Sequence, residues 1–299
     1  MRVGASGFGL RASASDMRPE LLVCPACRVV GDGRIDLRTL SRAGDELVCE
    51  CGARYPIADG IAMFAMTQAV EADDEGTREH VSIYMDAHWH AESPFRARIA
   101  ARPRVARAVE LGCSAGGIVH ALAGTADHVV GVDLGMPILR LARRVLAGET
   151  VDYARRTIGR HYEPARAAAP RAVDNVTLAC ADALDPPLVP RAYQRVVALN
   201  VLDSVPDPHG LLVVCDALCE PGGELILSSP YAWQAGITDA DKRFGGADPA
   251  AALVAHLIPR YAIEDEAELS WTLRRDSRSE VTYRVHYLRA RKAGPAAAV

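Results

Sequence analysis

The sequence predicts an α/β fold, in which a small cysteine-bearing segment precedes a doubly wound sheet. From about residue 105 onward, short β-branched runs that end in acids or small residues alternate with Ala- and Leu-rich segments of helical length. This alternation is typical of a parallel sheet covered by helices on both faces. A turn of small residues, from Gly112 to Gly117, follows the first run, and four cysteines cluster near the N-terminus.

Length and composition restrict the class of protein. The 299 residues suggest two domains, and 49% hydrophobic residues provide a large core. The net charge of −4 gives no indication of nucleic acid or an anionic membrane as a partner. No apolar run reaches the roughly 18 residues of a membrane span, and the N-terminus lacks the apolar core of a secretory signal. We therefore expect a cytoplasmic protein that does not contact a membrane.

Two close cysteine pairs lie in the first sixth of the chain. Two residues separate Cys24 from Cys27, one separates Cys49 from Cys51, and 21 lie between the pairs. This is the spacing of a zinc ribbon, in which two tight turns bring four thiolates onto one tetrahedral ion. A segment of about 50 residues buries little core, so metal would supply much of its folding free energy. The short second pair leaves open that this segment folds without metal.

The segment before the first strand of the sheet has the pattern of a lid. The stretch VSIYMDAHWHAESPF predicts a helix whose aromatic side chains cover a neighbouring surface. We expect the chain to consist of a disordered tail (1–19), a zinc-ribbon-like domain (20–66), a connector with the lid helix (67–104), the α/β domain (105–292) and a C-terminal tail (293–299).

The α/β domain contains seven predicted strands. The first five alternate with helices and are expected to lie parallel, whereas the last two follow each other directly and form a hairpin that completes the sheet. The predicted strands are 106–111, 127–134, 175–182, 193–200, 223–229, 267–276 and 280–292. The predicted helices are 116–124, 136–147 and 207–220.

The turn after the first strand has the sequence Glu110-x-Gly112-x-Ser114-x-Gly116. Ligands of doubly wound sheets bind beyond the carboxyl ends of the strands. Small residues in the first of these turns let backbone atoms come close to a ligand. The glycines do not have the G-x-G-x-x-G spacing of dinucleotide-binding proteins.

Polar residues end the next three strands as well, with Asp133, Asp182 and Asn200 in that order. Together with the turn, this order resembles the class I methyltransferases, whose E/D-x-G-x-G-x-G motif binds S-adenosylmethionine. Here Ser114 stands at the middle glycine. The resemblance implies a Rossmann-like fold, with Asp133 at the ribose, Asp182 and Ala183 at the adenine, and Asn200 facing the methyl group. The cofactor-binding residues that it implies are Glu110, Gly112, Cys113, Ser114, Gly116, Asp133, Leu134, Asp182, Ala183 and Asn200.

Two further resemblances cover the rest of the chain. CPAC and LVCECGARYPIADGI, over about 20–66, resemble the small zinc-ribbon-like activator subunits of methyltransferases. That likeness implies a structural or docking module with Cys24, Cys27, Cys49 and Cys51 as ligands of a structural zinc. LNVLDSVPDPHGLL, SSPYAWQAGITDADKRFGG and LSWTLRRDSR resemble the ovothiol-type 4-mercaptohistidine N-methyltransferase. This second likeness implies a small amine, imidazole or thiol-bearing acceptor.

Methyl transfer from a sulfonium is an in-line displacement, and its rate depends on holding the nucleophile, carbon and sulfur collinear. We expect side chains from the lid helix and from the turns after the fourth and fifth strands to line the acceptor site. The candidate catalytic residues are Tyr84, His88, Asp203 and Tyr231. Each has an alternative as an ordinary core or surface side chain. The arginine-bearing insertion 153–171 is a substrate cap, an RNA contact or a solvated excursion.

The leading hypothesis is an S-adenosylmethionine-dependent methyltransferase that acts on a small molecule, at a nitrogen of an amino-acid or imidazole-type acceptor. Three alternatives stay open. They are an RNA-modifying methyltransferase, an S-, O- or C-methyltransferase of natural-product biosynthesis, and a non-catalytic zinc-binding adaptor. The acidic balance and the lack of a lysine-rich stretch disfavour nucleic acid as a partner. A homodimer is left open.

Overall fold

The computed structural model describes residues 17–31, 34–65 and 74–294. Its helices are α1 (Glu75–Trp89), α2 (Arg96–Ala100), α3 (Gly117–Ala123), α4 (Met136–Leu146), α5 (Pro208–Leu218) and α6 (Pro249–Leu257). Its strands are β1 (Val29–Gly31), β2 (Arg34–Asp36), β3 (Ser41–Ala43), β4 (Glu46–Val48), β5 (Arg54–Ala58), β6 (Ile61–Met63), β7 (Val105–Leu111), β8 (Ala126–Asp133), β9 (Val151–Ile158), β10 (His161–Ala167), β11 (Val176–Cys180), β12 (Tyr193–Leu199), β13 (Cys219–Ser229), β14 (Tyr261–Arg274) and β15 (Glu280–Lys292).

A mixed sheet of 11 strands forms the centre, in the order β14-β15-β13-β12-β7-β8-β11-β6-β5-β4-β3. Neighbouring strands from β13 to β11 pair in parallel. The closing strands β15 and β14 run antiparallel. This is the predicted doubly wound arrangement with its terminal hairpin. Residues 108–111 of β7 and 128–132 of β8 are fully buried, as expected of central strands covered on both faces.

The N-terminal strands continue the central sheet. Strand β6 pairs in parallel with β11, with Ala62 opposite Ala179 and Met63 opposite Cys180. The cysteine-bearing segment, predicted over 20–66 as a domain of its own, thus shares hydrogen bonds with the α/β domain. A short bridge between Leu22 and Leu188 adds a second attachment.

The predicted tails lie largely outside the described residues. Residues 1–16 and 295–299 are not described, but the prediction of disorder over 1–19 is wrong for its last three residues. Met17 is 8% exposed and packs in the core, and a turn of 3₁₀-helix begins at Pro19. In the described part of the chain, no helix is long and apolar enough to cross a membrane.

The insertion predicted over 153–171 contains a β-hairpin that sequence patterning did not predict. Strands β9 and β10 pair with each other in a separate two-stranded sheet between α4 and β11. Both strands mix apolar with polar and charged residues, so their periodicity does not distinguish a strand from a solvated loop. The other four cysteines, Cys113, Cys180, Cys215 and Cys219, are buried.

Candidate active site

A cavity of about 430 Å³ lies at the carboxyl edge of the sheet. Residues that end or follow β7, β8, β11 and β12 form its floor, and α1 and α2 contribute its cover. Its volume falls in the range of about 300–1,000 Å³ of ligand-binding clefts. The position agrees with the rule that doubly wound sheets bind ligands beyond their strand ends.

The glycine turn after β7 has a backbone that few residues adopt. Gly112 has a φ of +74°, and a Cβ there would lie 2.4 Å from Cγ2 of Val201, so only glycine fits. Ser114 has a φ of +45°, an uncommon conformation for a residue with a side chain. Its amide donates a hydrogen bond of 2.8 Å to Oδ2 of Asp133, which stabilises the strained turn.

Asp133, at the end of β8, accepts hydrogen bonds from two backbone amides. Its Oδ2 accepts from Ser114 and its Oδ1 accepts from the amide of Gly135, each at 2.8 Å. Each carboxylate oxygen has two lone pairs, so the group can still accept hydrogen bonds from a ligand. The amides fix the orientation of a carboxylate that lines the cavity.

Asp182 and Asn200 line the cavity from the two strands that flank this centre. Oδ1 of Asp182 accepts a hydrogen bond of 2.8 Å from the amide of Leu184, which shapes the turn after β11. Asn200 has a φ of +56°, and its Oδ1 accepts a hydrogen bond of 2.8 Å from the hydroxyl of Ser228. The local turn therefore orients Asp182, and the neighbouring strand β13 orients Asn200.

Helix α1 contacts the glycine turn directly. Nδ1 of His88 accepts a hydrogen bond of 2.9 Å from the amide of Gly117, and Nε1 of Trp89 donates one of 2.9 Å to the carbonyl of Ala115. Burial lowers the pKa of His88 to about 3, with Arg96 as a second cause. The imidazole is therefore neutral near pH 7, as an accepting Nδ1 requires. His88 positions the turn, and the bond to Gly117 occupies the nitrogen that a general base would use.

Three buried polar atoms in the cavity wall have no hydrogen-bond partner among the described residues. They are Nε of Arg96, Oε2 of Glu110 and Oγ of Ser114. Burial raises the pKa of Glu110 well above its ordinary value, and the nearby Asp133 raises it further. Unsatisfied buried polar groups are rare in native proteins, and each calls for an explanation. A guanidinium, a carboxyl and a hydroxyl in one cavity suit a ligand with an acidic and a basic group.

Most of the predicted cofactor residues meet at this cavity. Those that line it are Glu110, Gly112, Ser114, Asp133, Leu134, Asp182, Ala183 and Asn200. Cys113 and Gly116 do not line it. Cys113 is fully buried behind the turn, and Gly116 packs against Leu146 and Ala142 of α4.

The predicted catalytic residues separate into two pairs. Tyr84 and His88 line the cavity, whereas Asp203 and Tyr231, expected there, do not. The carboxylate of Asp203 accepts hydrogen bonds from the Ser229 hydroxyl at 3.1 Å and the Ala232 amide at 3.0 Å. It therefore shapes the loop after β13. The hydroxyl of Tyr231 lies 2.8 Å from Nδ1 of His286, away from the cavity.

Sequence reasoning missed several residues of the cavity wall, among them Phe95, Arg96 and Trp271. Phe95 precedes the short helix α2, Arg96 begins it, and Trp271 lies on β14. None belongs to a spaced motif, so their approach to the cavity depends on the tertiary fold. The signal that could have identified Arg96 is its position directly after the predicted lid helix.

The four N-terminal cysteines converge at a second place. The Sγ atoms of Cys24 and Cys51 lie 3.8 Å apart and those of Cys27 and Cys49 lie 3.7 Å apart, and all four lie within 4.8 Å of one another. Around a tetrahedral zinc with Zn–S bonds of about 2.3 Å, neighbouring sulfurs are about 3.8 Å apart. The short Cys49-x-Cys51 pair therefore does not prevent convergence.

A family model described as a methyltransferase domain matches residues 85–276. The chain belongs to the methyltransferase-domain family. The matched range includes the glycine turn and the acids that end β8 and follow β11. The prediction of an S-adenosylmethionine-dependent methyltransferase with a Rossmann-like fold is thereby confirmed at the level of the family.

Relatives in sequence match the central part of the chain. The ubiquinone biosynthesis O-methyltransferase of Vibrio atlanticus (strain LGP32) is 26% identical over 125 residues, which are 41% of this chain and 43% of the relative. The enzyme of the same name from Hahella chejuensis (strain KCTC 2396) is 29% identical over 125 residues, 41% of this chain and 42% of the relative. The chain thus spans less than half the length of these curated relatives.

Solved structures with similar folds have low sequence identity. The N-methyltransferase NodS from Bradyrhizobium japonicum WM9, in complex with S-adenosyl-L-homocysteine, is 16% identical with a TM-score of 0.45, covering 73% of this chain and 99% of NodS. A structure described as "Conversion of a Disulfide Bond into a Thioacetal Group during Echinomycin Biosynthesis" is 18% identical with a TM-score of 0.48, covering 70% of this chain and 86% of that one.

Proposed function

We propose that the protein transfers a methyl group from S-adenosylmethionine to a nitrogen of a small amino-acid or imidazole-type metabolite. The observation that supports this proposal is the meeting of Glu110, Asp133, Asp182 and Asn200, from four neighbouring strands, in one cavity. Family membership supports methyl transfer. The nitrogen acceptor rests on the resemblance of the C-terminal half to ovothiol-type enzymes.

The polar atoms without partners fit the α-amino acid end of the cofactor. Nε of Arg96 is suited to a carboxylate and Oε2 of Glu110 to an ammonium group. Asp133 would bind the ribose hydroxyls, and the turn with Asp182 and Ala183 would receive the adenine. When bound, S-adenosylmethionine supplies an electrophilic methyl group on a sulfonium. The protein's residues orient the reactants and exclude water.

The side of the cavity beyond the strand ends suits an acceptor that carries positive charge. The rings of Tyr84, Phe95 and Trp271 line it, and a cation over aromatic rings gains roughly 0.5–2 kcal/mol. A nitrogen must present its lone pair to react, so its proton has to leave. His80 lines the same cavity, and desolvation by the surrounding protein lowers its pKa. A neutral His80 is positioned to take up that proton.

Calorimetry and a methyl-transfer assay test this proposal. S-adenosylhomocysteine should bind the purified protein with saturable heat, and labelled methyl from S-adenosylmethionine should appear in histidine-derived or amine acceptors. Absence of binding by folded protein would refute the assignment of the cavity. Labelled methyl in RNA instead of small molecules would show that the acceptor is RNA.

A second candidate is an oxygen acceptor. The relatives in sequence are named ubiquinone biosynthesis O-methyltransferases, and aromatic rings also bind a phenol. The same assay separates the two, since phenolic acceptors would take up label in place of amines. An oxygen acceptor would leave the proposed role of His80 as proton acceptor unchanged.

We further propose that the four cysteines bind one structural zinc ion. Four thiolates complete a tetrahedral shell and leave no position for a reacting ligand. The hydroxyl of Tyr55 lies 3.3 Å from Sγ of Cys24 and 3.4 Å from the amide nitrogen of Ala26, which orients the first cysteine turn. The support is that two of the sulfur separations match the edge of a zinc–thiolate tetrahedron and that all four sulfurs lie within 4.8 Å of one another.

Metal analysis of the purified protein tests the zinc proposal. We expect one zinc per chain in the wild type, loss of most of it in Cys27→Ser, and full retention in the control Cys215→Ser, a buried cysteine far from the cluster in sequence. A chelator should lower the thermal stability of the wild type. Metal-free protein with unchanged stability would refute the site.

A further inference from the structure

The hairpin β9–β10 packs against the lid helix α1. Nε of Arg155 lies 3.1 Å from Oδ1 of Asp86, whose side chain is only 7% exposed. Arg156 forms an ion pair of 2.6 Å with Glu79, and its amide donates a hydrogen bond of 2.8 Å to the buried hydroxyl of Ser82. These contacts follow one face of α1 at intervals of three and four residues, as expected of a continuous interface.

An apolar cluster links the same hairpin to the glycine turn. Tyr153 of β9 and Ala167 of β10 pack with Met85 of α1, and Ala115 of the glycine turn belongs to the same cluster. Met85 and Ala115 are fully buried. The hairpin, the lid helix and the turn that faces the cofactor cavity therefore share one small core.

The hairpin is also attached to the far end of the sheet. The amide of Ser277, in the turn between β14 and β15, donates a hydrogen bond of 2.8 Å to the carbonyl of Thr157. Arg275 of the same turn lies 3.4 Å from Glu79 of α1. Helix α1 is thus held from two sides, by β9 and by the β14–β15 turn.

We propose that the hairpin β9–β10 is an internal strap that positions α1 over the cavity, and that Arg155 and Arg156 are positioning residues for cofactor binding. Their ion pairs hold Asp86 and Glu79, and α1 in turn places His88 and Trp89 on the glycine turn. The ordering of α1 before the ligand arrives lowers the entropic cost of binding. Two arginines of the insertion are therefore engaged within the chain, which argues against an RNA contact there. The effect on cofactor affinity rests on the proposed function, whereas the strap itself does not.

Hydrogen exchange and calorimetry on the full chain test the strap. Without ligand, the double variant Arg155→Ala/Arg156→Ala should accelerate amide exchange in α1 by about tenfold or more, because local opening becomes easier. It should also weaken S-adenosylhomocysteine binding by about tenfold, a usual size for coupling between two sites. The matched control is Arg166→Ala, whose partner Asp152 lies on the paired strand of the hairpin itself, and neither quantity should change.

Unchanged exchange in α1 of the double variant would overturn the strap. Faster exchange with unchanged affinity would overturn its role in positioning the site. If the wild type binds no S-adenosylhomocysteine, the proposed function fails while the exchange result still decides the strap. Should the double variant not fold, Arg156→Gln keeps the buried Asp86 paired, and about threefold faster exchange in α1 is then the expected result.

Discussion

Two buried glutamates of the central sheet have opposite surroundings. Glu224, near the amino end of the sheet, is 3% exposed and pairs with Arg195 at 2.9 Å and Arg102 at 3.1 Å. Glu110, at the carboxyl end of β7, is 2% exposed, and its Oε2 has no partner among the described residues. The carboxylate of Glu224 is paired within the chain, whereas Oε2 of Glu110 is not.

Glu224 belongs to a buried ion pair that stabilises the fold, whereas Glu110 has an oxygen that a ligand can bind. The guanidinium of Arg195 also donates to Oγ1 of Thr125 at 2.9 Å, so that the pair is satisfied within the chain. An unsatisfied buried charge costs free energy, and at Glu110 the cost appears as a raised pKa. Substitutions at the two ends should therefore affect different quantities, stability at one and ligand binding at the other.

The largest effect is expected from Arg195→Met. It leaves the buried Glu224 with one partner in place of two, and breaking a buried pair costs about 3–5 kcal/mol of unfolding free energy. Denaturant unfolding measures this loss. The control Arg104→Met removes an exposed pair with Asp127 and should cost less than about 1 kcal/mol. Equal losses in both variants would contradict the comparison, and adding Glu224→Gln to Arg195→Met should restore part of the stability.

The next largest effect, on the affinity for the cofactor, is expected from Asp133→Asn. The change keeps the shape but removes the negative charge that we expect to accept hydrogen bonds from the ribose. Hydrogen bonds to charged groups contribute about 1.5–3 kcal/mol, so S-adenosylhomocysteine should bind roughly ten- to a hundredfold more weakly in calorimetry. Asp127→Asn, on the same strand and exposed, is the control and should bind normally. Normal binding by Asp133→Asn would show that Asp133 does not bind the ribose.

A smaller loss of affinity for S-adenosylhomocysteine, about tenfold or 1.4 kcal/mol, is expected from Arg96→Gln. If the guanidinium binds the cofactor carboxylate, the variant should lose affinity for S-adenosylhomocysteine but not for 5′-methylthioadenosine, which lacks the amino acid end. Calorimetry with both ligands measures the difference. Equal loss for both ligands would mean that Arg96 supports the cavity wall instead of binding the carboxylate.

The smallest effect on stability is expected from Glu110→Gln at acidic pH, below the ordinary glutamate pKa, because there the carboxyl is protonated in both states and resembles a carboxamide in shape and charge. The raised pKa means that the folded state binds more protons than the unfolded state between the ordinary glutamate pKa and the raised value. The stability of the wild type should therefore fall as pH rises through that window, and the variant should lack this decline. Unfolding curves over a pH series measure it. Parallel pH profiles would show that Glu110 is already charged in the folded protein.

Much of the fold follows from sequence pattern, because buried parallel strands are continuous apolar runs with polar residues at their carboxyl ends. That rule identified Asp133, Asp182 and Asn200 in advance. It could not identify Arg96 or Trp271, which reach the cavity from other elements. It also placed Tyr231 in the site, since it cannot show that the hydroxyl turns toward His286. The rule also could not predict the pairing of β6 with β11, because a strand of three residues is too short to show a periodic pattern.

The pairing of β6 with β11 has a consequence for the order of folding. Residues 61–63 leave the ribosome more than a hundred residues before 176–180, the strand on which they dock. Until then, one edge of β6 stays without its partner, and unpaired edges favour pairing with other chains. If the cysteine turns bind zinc as we propose, early metal binding would keep this nascent segment compact while the rest of the chain is made. Zinc supply during synthesis should then govern the yield of folded protein more than its activity once folded.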